Sequence, residues 1–377
     1  KVGSNHRAVE IGDETELYRH EKRFFHPVRY SVEVDDSMSD EEIETKVLAA
    51  NRIRFERVGQ IMTLDLQGVR ARTGGERFAK AVEVASSNTE RPLVLFCDDP
   101  EAMKLAATKV AAKVPLLRRA DASNYVQMSA VAKELKCPLV VYAEGLNELA
   151  DLVAKVRAAG VENIVLDFGA KDLKTLLERS SIVRKLSVKK TFRGLGYPIF
   201  VQAPEQDKMQ FASVATLKYA GIVSFSSLAP EEALPLFVLR QNIYTDPQVP
   251  IQVKPDLYAI NGPNERSPIM FTTNFSLTYF TVMADVEKSK VPVWLQVVDT
   301  EGLSVLTAYA AGKLTAESVS KALDRSAART RTKSDVLIIP GMVARMAAKL
   351  NEVTGMKVAV GPKESSGLPK FLKGLNQ

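Results

Sequence analysis

One pattern repeats along most of this chain and restricts its fold more than any other feature. From about residue 61, a short apolar, β-branched run is followed by a turn and then by a segment with helical periodicity. Parallel strands need a helical crossover, and eight such βα units close without a free edge. The pattern therefore predicts a (β/α)8 TIM-like barrel over residues 61–258. Its candidate strands are residues 61–66, 93–97, 116–118, 139–143, 164–168, 198–202, 222–226 and 251–254.

The segments on either side of this repeat set the predicted domain boundaries. Residues 1–60 are predicted to be an N-terminal extension that covers the barrel, with a helix that begins after Ser39 as N-cap and has Glu42 at the capping-box position. Residues 258–268 are rich in turn formers and lack periodicity, so they are predicted to be a linker.

The βα pattern resumes after the linker but stops after four units. Four units are too few for a barrel and predict a small doubly wound, flavodoxin-like sheet over residues 266–377, with strands at 269–272, 293–298, 335–339 and 357–360. Helices are predicted at 277–286, 304–311, 316–324, 343–353 and 368–372. A ligand of such a sheet binds at the carboxyl ends of its strands, near helix N-termini.

Four loops follow these strands, at residues 272–274, 299–304, 340–342 and 361–367. They are rich in Thr, Ser and Gly, which permit close backbone approach and offer hydroxyls to amide or phosphate groups. They favour a large neutral polar ligand, although the same residue types also cap helices and form turns. None has the glycine spacing of a dinucleotide fold or a Walker lysine, whereas a flavin fits on shape alone.

Composition excludes several classes of protein. No apolar run reaches the roughly 20 residues that span a bilayer, so no membrane association is expected. Acidic and basic residues are mixed along the chain at a net charge of +6, which does not indicate nucleic acid. The two cysteines, Cys97 and Cys137, are predicted to be buried thiols in a reducing cytoplasm. The sequence starts at Lys1 without an initiator Met, and we expect it to begin downstream of the gene's start.

Polar residues also follow the predicted barrel strands: Asp98, Asp99, Glu144, Asp167 and Gln202. Barrel enzymes place catalytic groups at such positions, but Asp and Glu there also cap the following helices. We predict that the barrel is a scaffold that contacts a partner subunit.

Several sequence runs resemble one protein family. Residues 293–308 (VWLQVVDTEGLSVLTA), 337–341 (LIIPG) and 360–364 (VGPKE) are similar to the C-terminal domain of the corrinoid/iron-sulfur protein large (gamma) subunit of the acetyl-CoA decarbonylase/synthase pathway. Residues 7–12 (RAVEIG) and 18–22 (YRHEK), with His26-Pro27, resemble the segment before that subunit's barrel. The similarity covers essentially the whole chain.

The resemblance implies a methyl-group carrier rather than a complete enzyme. In this family, cobalamin as Co(I) accepts a methyl group from methyltetrahydrofolate through a methyltransferase and passes it to the nickel site of acetyl-CoA synthase. The implied partners are the family's small subunit, in a heterodimer, together with the methyltransferase, acetyl-CoA synthase and a reductive activator. The implied cobalamin-binding residues are Thr272, Thr273, Thr278, Gly302, Leu303, Ser304, Val305, Thr307, Gly341, Ser365, Ser366 and Gly367.

Histidine and cysteine positions refine this expectation. The only histidines, His6, His20 and His26, precede the barrel, so the second domain offers no imidazole to cobalt. Base-off cobalamin is therefore expected. A domain that binds no metal would also need no histidine. The family carries a [4Fe-4S] cluster on four closely spaced cysteines, which Cys97 and Cys137 cannot supply. We expect the cluster in the full-length protein but not in this chain.

Two other functions remain open from the sequence. One is a pterin-binding TIM-barrel methyltransferase that acts directly on methyltetrahydrofolate, for which the barrel offers Asp98, Asp99 and Asp167 but few Asn partners. The other is a flavodoxin-like flavin module, for which Tyr279, Phe280 and Trp294 are the available aromatic residues; they are predicted to lie in the core.

Overall fold

The computed structural model describes residues 1–246 and 248–375 and divides into two compact units. The barrel unit comprises residues 1–56 and 61–245, and the sheet unit comprises residues 57–60 and those from 246 onward. Residues 258–268, the predicted linker, lie inside the sheet unit, and Leu257–Ile260 is a strand of its sheet. The division between the units therefore falls earlier in the chain than predicted.

Ten strands precede residue 226, and eight of them close a barrel. In chain order they are β1 (Arg29–Asp35), β2 (Arg54–Arg57), β3 (Gln60–Thr63), β4 (Leu66–Arg70), β5 (Leu93–Phe96), β6 (Leu116–Ala120), β7 (Leu139–Tyr142), β8 (Ile164–Asp167), β9 (Ile199–Gln202) and β10 (Ala220–Phe225). β2 pairs with β3, and β1 pairs in parallel with both β4 and β10, which closes the ring. The predicted parallel barrel is confirmed.

Eight helices accompany the barrel strands: α1 (Asp40–Arg52), α2 (Gly75–Ser87), α3 (Pro100–Lys109), α4 (Tyr125–Leu135), α5 (Leu146–Ala158), α6 (Leu173–Lys189), α7 (Lys208–Leu217) and α8 (Pro230–Ile243). The predicted capping box is confirmed, because the backbone N–H of Glu42 donates to Ser39 Oγ at 3.2 Å and that of Ser39 donates to the Glu42 carboxylate at 2.8 Å. Buried apolar residues fill the barrel, with Phe96 packed against Phe200 at 5.9 Å between ring centroids.

Two predicted barrel strands and the predicted extension were wrong. Residues 61–66 do not form one strand: Ile61 lies in the hairpin strand β3 and is exposed, and the barrel strand begins at Leu66. Residues 251–254 contribute only an isolated bridge from Gln252 to Phe275. The eighth barrel strand is β1, which lies within the predicted extension. Its polar residues concealed it, because Glu33 is buried and hydrogen-bonded to Arg70 of β4.

Among the described residues, the main sheet of this unit has five strands: β11 (Leu257–Ile260), β12 (Ile269–Thr273), β13 (Val293–Val298), β14 (Val336–Ile339) and β15 (Lys357–Val360). The order across the sheet is β11, β13, β12, β14, β15; β11 is antiparallel to β13 and the other pairs are parallel. All four parallel strands lie where they were predicted, and β11 was missed. The helices are α9 (Ser276–Ser289), α10 (Val305–Ala310), α11 (Ala316–Arg325), α12 (Ala328–Arg331), α13 (Ala347–Thr354) and α14 (Leu368–Leu375).

Both faces of this sheet are covered. Along β12, Ile269 and Phe271 belong to one core cluster with residues of α10, α11 and α13, while Met270 belongs to a second cluster with residues of α9 and α14. This alternation is the pleat of a strand that is buried on both faces. Among residues 1–246 and 248–375, no helix has both the length and the apolar character that a membrane crossing requires.

A candidate cofactor cavity in the sheet unit

A cavity of about 470 Å³ opens at the carboxyl ends of β12, β14 and β15. Its walls are largely apolar and its polar groups are mostly hydroxyls. The lining residues are Met270, Phe271, Thr272, Leu277, Thr278, Thr281, Val282, Ser304, Val305, Leu306, Ile339, Pro340, Met342, Gly361, Pro362, Lys363, Glu364, Ser365 and Leu368. Volume and lining are typical of a pocket for an organic cofactor or part of one.

The strand order explains why the cavity forms at this place. After β12 the chain crosses to β13 on one side, and it later returns to β14 on the other side of β12. The connections that leave β12 and β14 therefore diverge to opposite faces, and a crevice opens between them at the strand ends. This switch point is the general ligand site of open parallel α/β sheets.

Two buried hydroxyls at the end of β12 lack hydrogen-bond partners. Oγ1 of Thr272 and Oγ1 of Thr273 are both buried, and neither has an acceptor or donor among the residues that the structure describes. An unsatisfied buried hydroxyl costs about 1 to 3 kcal/mol. Thr272 lines the cavity, so a polar group of a ligand there could satisfy its hydroxyl.

A fully buried asparagine organises the loop after β13. Asn274 Oδ1 accepts from the backbone N–H of Thr300 at 2.9 Å, the Thr300 hydroxyl at 3.0 Å and the N–H of Gly302 at 3.0 Å. Its Nδ2 donates to Gln252 and Asp299, both at 3.1 Å. One side chain therefore fixes the turn that leads into Ser304 and α10. Asn274 lies in one of the candidate loops, but this role was not predicted from the sequence.

Gly341 allows the loops after β14 and β15 to approach each other. A Cβ at this position would lie 2.7 Å from the carbonyl carbon of Pro362 and 2.8 Å from the backbone nitrogen of Lys363, and would also collide with Gly361 O. All three are backbone atoms and cannot rotate away. The glycine is therefore required by the close packing of two loops that border the cavity.

Two helices begin at the cavity without a side-chain cap. Leu277 and Thr278 lie in the first turn of α9, whose N-cap Phe275 has no side-chain hydrogen bond to the helix. Ser304 is the N-cap of α10, but its Oγ lies 3.0 Å from Thr307 Oγ1 instead of binding a helix N–H. Free N–H groups at a helix N-terminus attract phosphate or carbonyl oxygens.

The predicted binding residues divide into two groups. Thr272, Thr278, Ser304, Val305 and Ser365 line the cavity. Six others do not line it but are adjacent in sequence to residues that do: Thr273, Leu303, Thr307, Gly341, Ser366 and Gly367. Gly302 does not line it either and lies two residues before Ser304. Ser365 also hydrogen-bonds Asp285, whose pKa is lowered by its hydrogen bond with Lys288 and, to a smaller extent, by that with Ser365.

The apolar rim of the cavity was not predicted from the sequence. Leu277, Leu306 and Met342 line the cavity and are about half exposed, at 54%, 50% and 46%. Exposed apolar residues around a pocket are typical of a surface that a ligand or partner covers. The signal available in the sequence was an apolar residue shortly after each of the first two candidate loops and at the end of the third.

The polar residues at the barrel's strand ends are engaged in local contacts. Asp99 caps α3 by accepting from the N–H of Glu101 at 3.1 Å, and Asp167 pairs with Arg118 at 2.8 Å. Glu144 accepts from Lys171 at 2.8 Å, and Asp98 lies 3.4 Å from Arg119. Gln202 donates to Glu33 at 2.8 Å. The expectation that acidic residues here cap the following helices is confirmed for Asp99.

Both thiols are buried in the barrel unit. Burial raises the pKa of Cys97 to about 11 and that of Cys137 to about 12. The thiolate is the form that binds metal. Both side chains are therefore neutral thiols at pH 7.

Comparison with known proteins assigns the family. Residues 1–372 match the family model described as CO dehydrogenase/acetyl-CoA synthase delta subunit. The chain is also 44% identical over 377 residues to the corrinoid/iron-sulfur protein large subunit of Moorella thermoacetica, covering 99% of this chain and 84% of that protein. The chain therefore belongs to the family of CO dehydrogenase/acetyl-CoA synthase subunits that includes the corrinoid/iron-sulfur protein large subunit.

Other relatives of the family have related names. The acetyl-CoA decarbonylase/synthase complex subunit gamma of Methanopyrus kandleri is 34% identical over 390 residues, with 99% of this chain and 84% of that protein covered. The family description names a delta subunit, whereas these relatives are large or gamma subunits. Sequence identity over nearly the whole chain is more specific than the family description, so we group this chain with the large and gamma subunits.

A dihydropteroate synthase from Thermus thermophilus was also found by structural comparison. Its TM-score is 0.41 at 16% identity, with 58% of this chain and 95% of that chain covered. A similarity this low supports no argument about function.

Proposed function

We propose that the sheet unit holds the corrinoid of a methyl carrier, with the cavity at the ends of β12, β14 and β15 as its binding site. The unpaired buried hydroxyl of Thr272, which lines this cavity, is the observation that carries the proposal. The names of the family's relatives supply the identity of the cofactor. The strand order of the parallel part, second-first-third-fourth, supports a flavodoxin-like sheet with its ligand at the switch point.

The lining residues fit the chemistry of a corrinoid. Its amide side chains need hydrogen-bond donors and acceptors and its phosphate needs donors, and the hydroxyls of Thr272, Thr278 and Ser304 can act as either. Its macrocycle is broad and largely apolar, and the rim of Leu277, Leu306 and Met342 offers such a surface. The uncapped starts of α9 and α10 offer free N–H groups to phosphate oxygens.

Residues of the sheet unit would position the corrinoid, and none of them offers an imidazole to its cobalt. When bound, cobalt supplies the chemistry by accepting a methyl group and passing it on. Asn274 fixes the loop that presents Ser304, and Gly341 keeps the neighbouring loops together. All three histidines lie in the barrel unit, at positions 6, 20 and 26, so we propose that the sheet unit supplies no histidine ligand to cobalt. We further propose that the cobalamin is bound base-off.

The partners and the second cofactor follow the family. We propose that the methyl group comes from methyltetrahydrofolate through a methyltransferase and goes to acetyl-CoA synthase, and that a small subunit forms the heterodimer and a reductive activator restores Co(I). The chain has only two cysteines, Cys97 and Cys137, which supports the proposal that no [4Fe-4S] cluster is bound by these residues alone. The cytoplasm is the proposed location.

A pterin-binding methyltransferase acting through the barrel has less support. The three carboxylates it would use are engaged: Asp167 with Arg118, Asp98 with Arg119, and Asp99 with the start of α3.

Reconstitution with cobalamin tests the proposal. We expect the chain, mixed anaerobically with cob(II)alamin and freed of excess by gel filtration, to retain about one corrinoid by absorbance. Leu306→Glu places a charge on the apolar rim and should weaken retention about tenfold or more, whereas Leu375→Glu, at a similarly exposed site away from the cavity, should not. Failure of the wild-type chain to retain corrinoid, or equal losses in both variants, would contradict the proposed site.

A further inference from the structure

A second, smaller cavity lies in the barrel unit at the carboxyl ends of β6, β7, β8 and β9. Its volume is about 260 Å³, and Arg118, Arg119, Tyr142, Asp167 and Phe200 are among its walls. This end of a (β/α)8 barrel is where loops build binding and catalytic sites. Nothing in the proposed corrinoid function uses it.

Two consecutive arginines are held in place at this cavity. Arg118 Nη2 donates to Asp167 at 2.8 Å, and the guanidinium lies 4.9 Å from the ring centroid of Phe200. Arg119 stacks on Tyr142 at 3.8 Å, and Asp98 Oδ1 lies 3.4 Å from its Nε. Ion pairs and stacking fix the orientation of each guanidinium plane.

The Nε atoms of both arginines are buried and have no hydrogen-bond acceptor in the described part of the chain. Asp98 Oδ1 and Asp121 Oδ2 lie 3.4 Å and 3.9 Å from Nε of Arg119 and form ion pairs with it, but neither accepts a hydrogen bond from this Nε–H. This is not general among the partly buried arginines of the barrel unit. Arg70 Nε donates to Glu33 at 2.6 Å and Arg77 Nε donates to a backbone carbonyl oxygen at 3.0 Å. Buried donors in native proteins almost always have partners, so the two unpaired Nε–H groups indicate an acceptor from outside the chain.

We propose that this cavity binds a small oxyanion, a carboxylate or a phosphate carried on a short body, which accepts hydrogen bonds from Nε of Arg118 and Nε of Arg119. Guanidinium groups present parallel N–H donors that match the oxygens of such anions. Asp167 occupies Nη2 of Arg118 and leaves its Nε free. The volume is below that of typical drug-sized pockets, which restricts the ligand to a small molecule.

Isothermal titration calorimetry of the full chain with inorganic phosphate and with acetate, in a chloride buffer free of other oxyanions, tests this site. We expect saturable binding to one site for at least one probe; phosphate alone would assign the phosphate class and acetate alone the carboxylate class. Arg119→Lys keeps the charge but removes the Nε donor, and should weaken binding tenfold or more. The control Arg72→Lys changes an exposed arginine that does not line the cavity, and should bind as wild type.

A second variant keeps the proposal testable if Arg119→Lys does not fold. Tyr142→Leu removes the ring on which Arg119 stacks and should also weaken binding of the anion. The proposal is overturned if neither probe saturates the wild-type chain, if Arg119→Lys and Arg72→Lys weaken binding equally, or if both cavity variants bind as wild type. Corrinoid retention is measured separately, so failure of this site leaves the corrinoid proposal standing.

Discussion

Two cavities in this chain occupy equivalent places, at the carboxyl ends of parallel strands, yet their chemistry differs. The cavity of the sheet unit is larger, about 470 Å³ against 260 Å³, and combines hydroxyls with apolar walls. The cavity of the barrel unit is lined by arginines that are paired with carboxylates and stacked on aromatic rings. Topology therefore determines where each cavity lies, and the residues of the loops determine whether it suits a large neutral group or a small anion.

The largest loss of stability is expected when the buried ion pair between Arg118 and Asp167 in the barrel is broken. Asp167→Ala should destabilise the barrel unit by about 3 to 5 kcal/mol, because it leaves the Arg118 charge buried without its partner. Hydrogen exchange of the β6 and β8 amides under increasing urea measures this loss. The control Glu144→Ala removes an exposed partner of Lys171 and should leave the same amides nearly unchanged. Equal protection in both variants would mean that the Arg118–Asp167 pair does not stabilise the strand ends.

In the sheet unit, the largest effect is expected from Asn274. Asn274→Ala removes the acceptor of the Thr300 and Gly302 N–H groups and should cost about 2 to 3 kcal/mol. Urea unfolding followed by the fluorescence of Trp294, the single tryptophan, measures it within the sheet unit. Corrinoid retention should fall as well, since the loop before Ser304 loses its fixed turn. A variant with wild-type stability would show that water replaces the asparagine.

Gly341→Ala tests the close approach of the loops after β14 and β15. The added Cβ meets three backbone groups, so we expect a loss of about 1 to 3 kcal/mol and weaker corrinoid retention. Gly374→Ala is the matched control, because a Cβ there meets no atom within 4 Å. The same fluorescence measurement applies. If both variants retain corrinoid equally, the loops do not need their close packing.

Thr272→Val should stabilise the ligand-free protein but weaken its retention of corrinoid. Without ligand, removal of an unpaired buried hydroxyl should raise stability by about 1 kcal/mol. With corrinoid, the lost hydrogen bond should weaken retention several-fold. Thr354→Val is the control, since its hydroxyl donates to the Leu350 carbonyl at 2.6 Å and its loss should destabilise the free protein. A less stable free Thr272→Val would show that the hydroxyl has a partner in the apo protein.

The smallest effect is a pH dependence that arises from the two cysteines, both of which lie in the barrel unit. The folded pKa of Cys97 is raised to about 11 from the ordinary 9.0, so the thiol contributes stability below pH 9 that is lost as the pH rises through about 11. At pH 8 we expect iodoacetamide to alkylate both thiols far more slowly in the native chain than in urea. Equal rates would show that the thiols are accessible.

The sequence predicted those parts of the fold that alternate clearly between apolar strand and helix. β5 to β10 and the four parallel strands of the sheet unit have such runs, and they were located within one to two residues. β1 was missed because its polar residues are paired inside the barrel: Glu33 accepts from Arg70, Gln202 and Ser224. The sequence alone does not show that a buried charge has its partner on another strand 37 residues away.

The candidate site could be predicted as far as its loops. Strand ends and small residues identified Thr272, Ser304 and Gly341 as parts of it. The positions of these residues in the sequence could not show that the Thr272 hydroxyl lacks a hydrogen-bond partner or that Gly341 lies against the backbone of Pro362. Both depend on distances between elements that are far apart in sequence.

The central claim is that the sheet unit binds corrinoid base-off, with neither a histidine of the protein nor the cofactor's own base bound to cobalt. Electron paramagnetic resonance of the chain loaded anaerobically with one equivalent of cob(II)alamin tests it most directly. We predict that the signal comigrates with the protein and lacks nitrogen splitting, because the sheet unit contains no histidine and the cofactor is bound base-off. A signal that stays with free cobalamin, or a bound signal split by an axial nitrogen, would contradict the account.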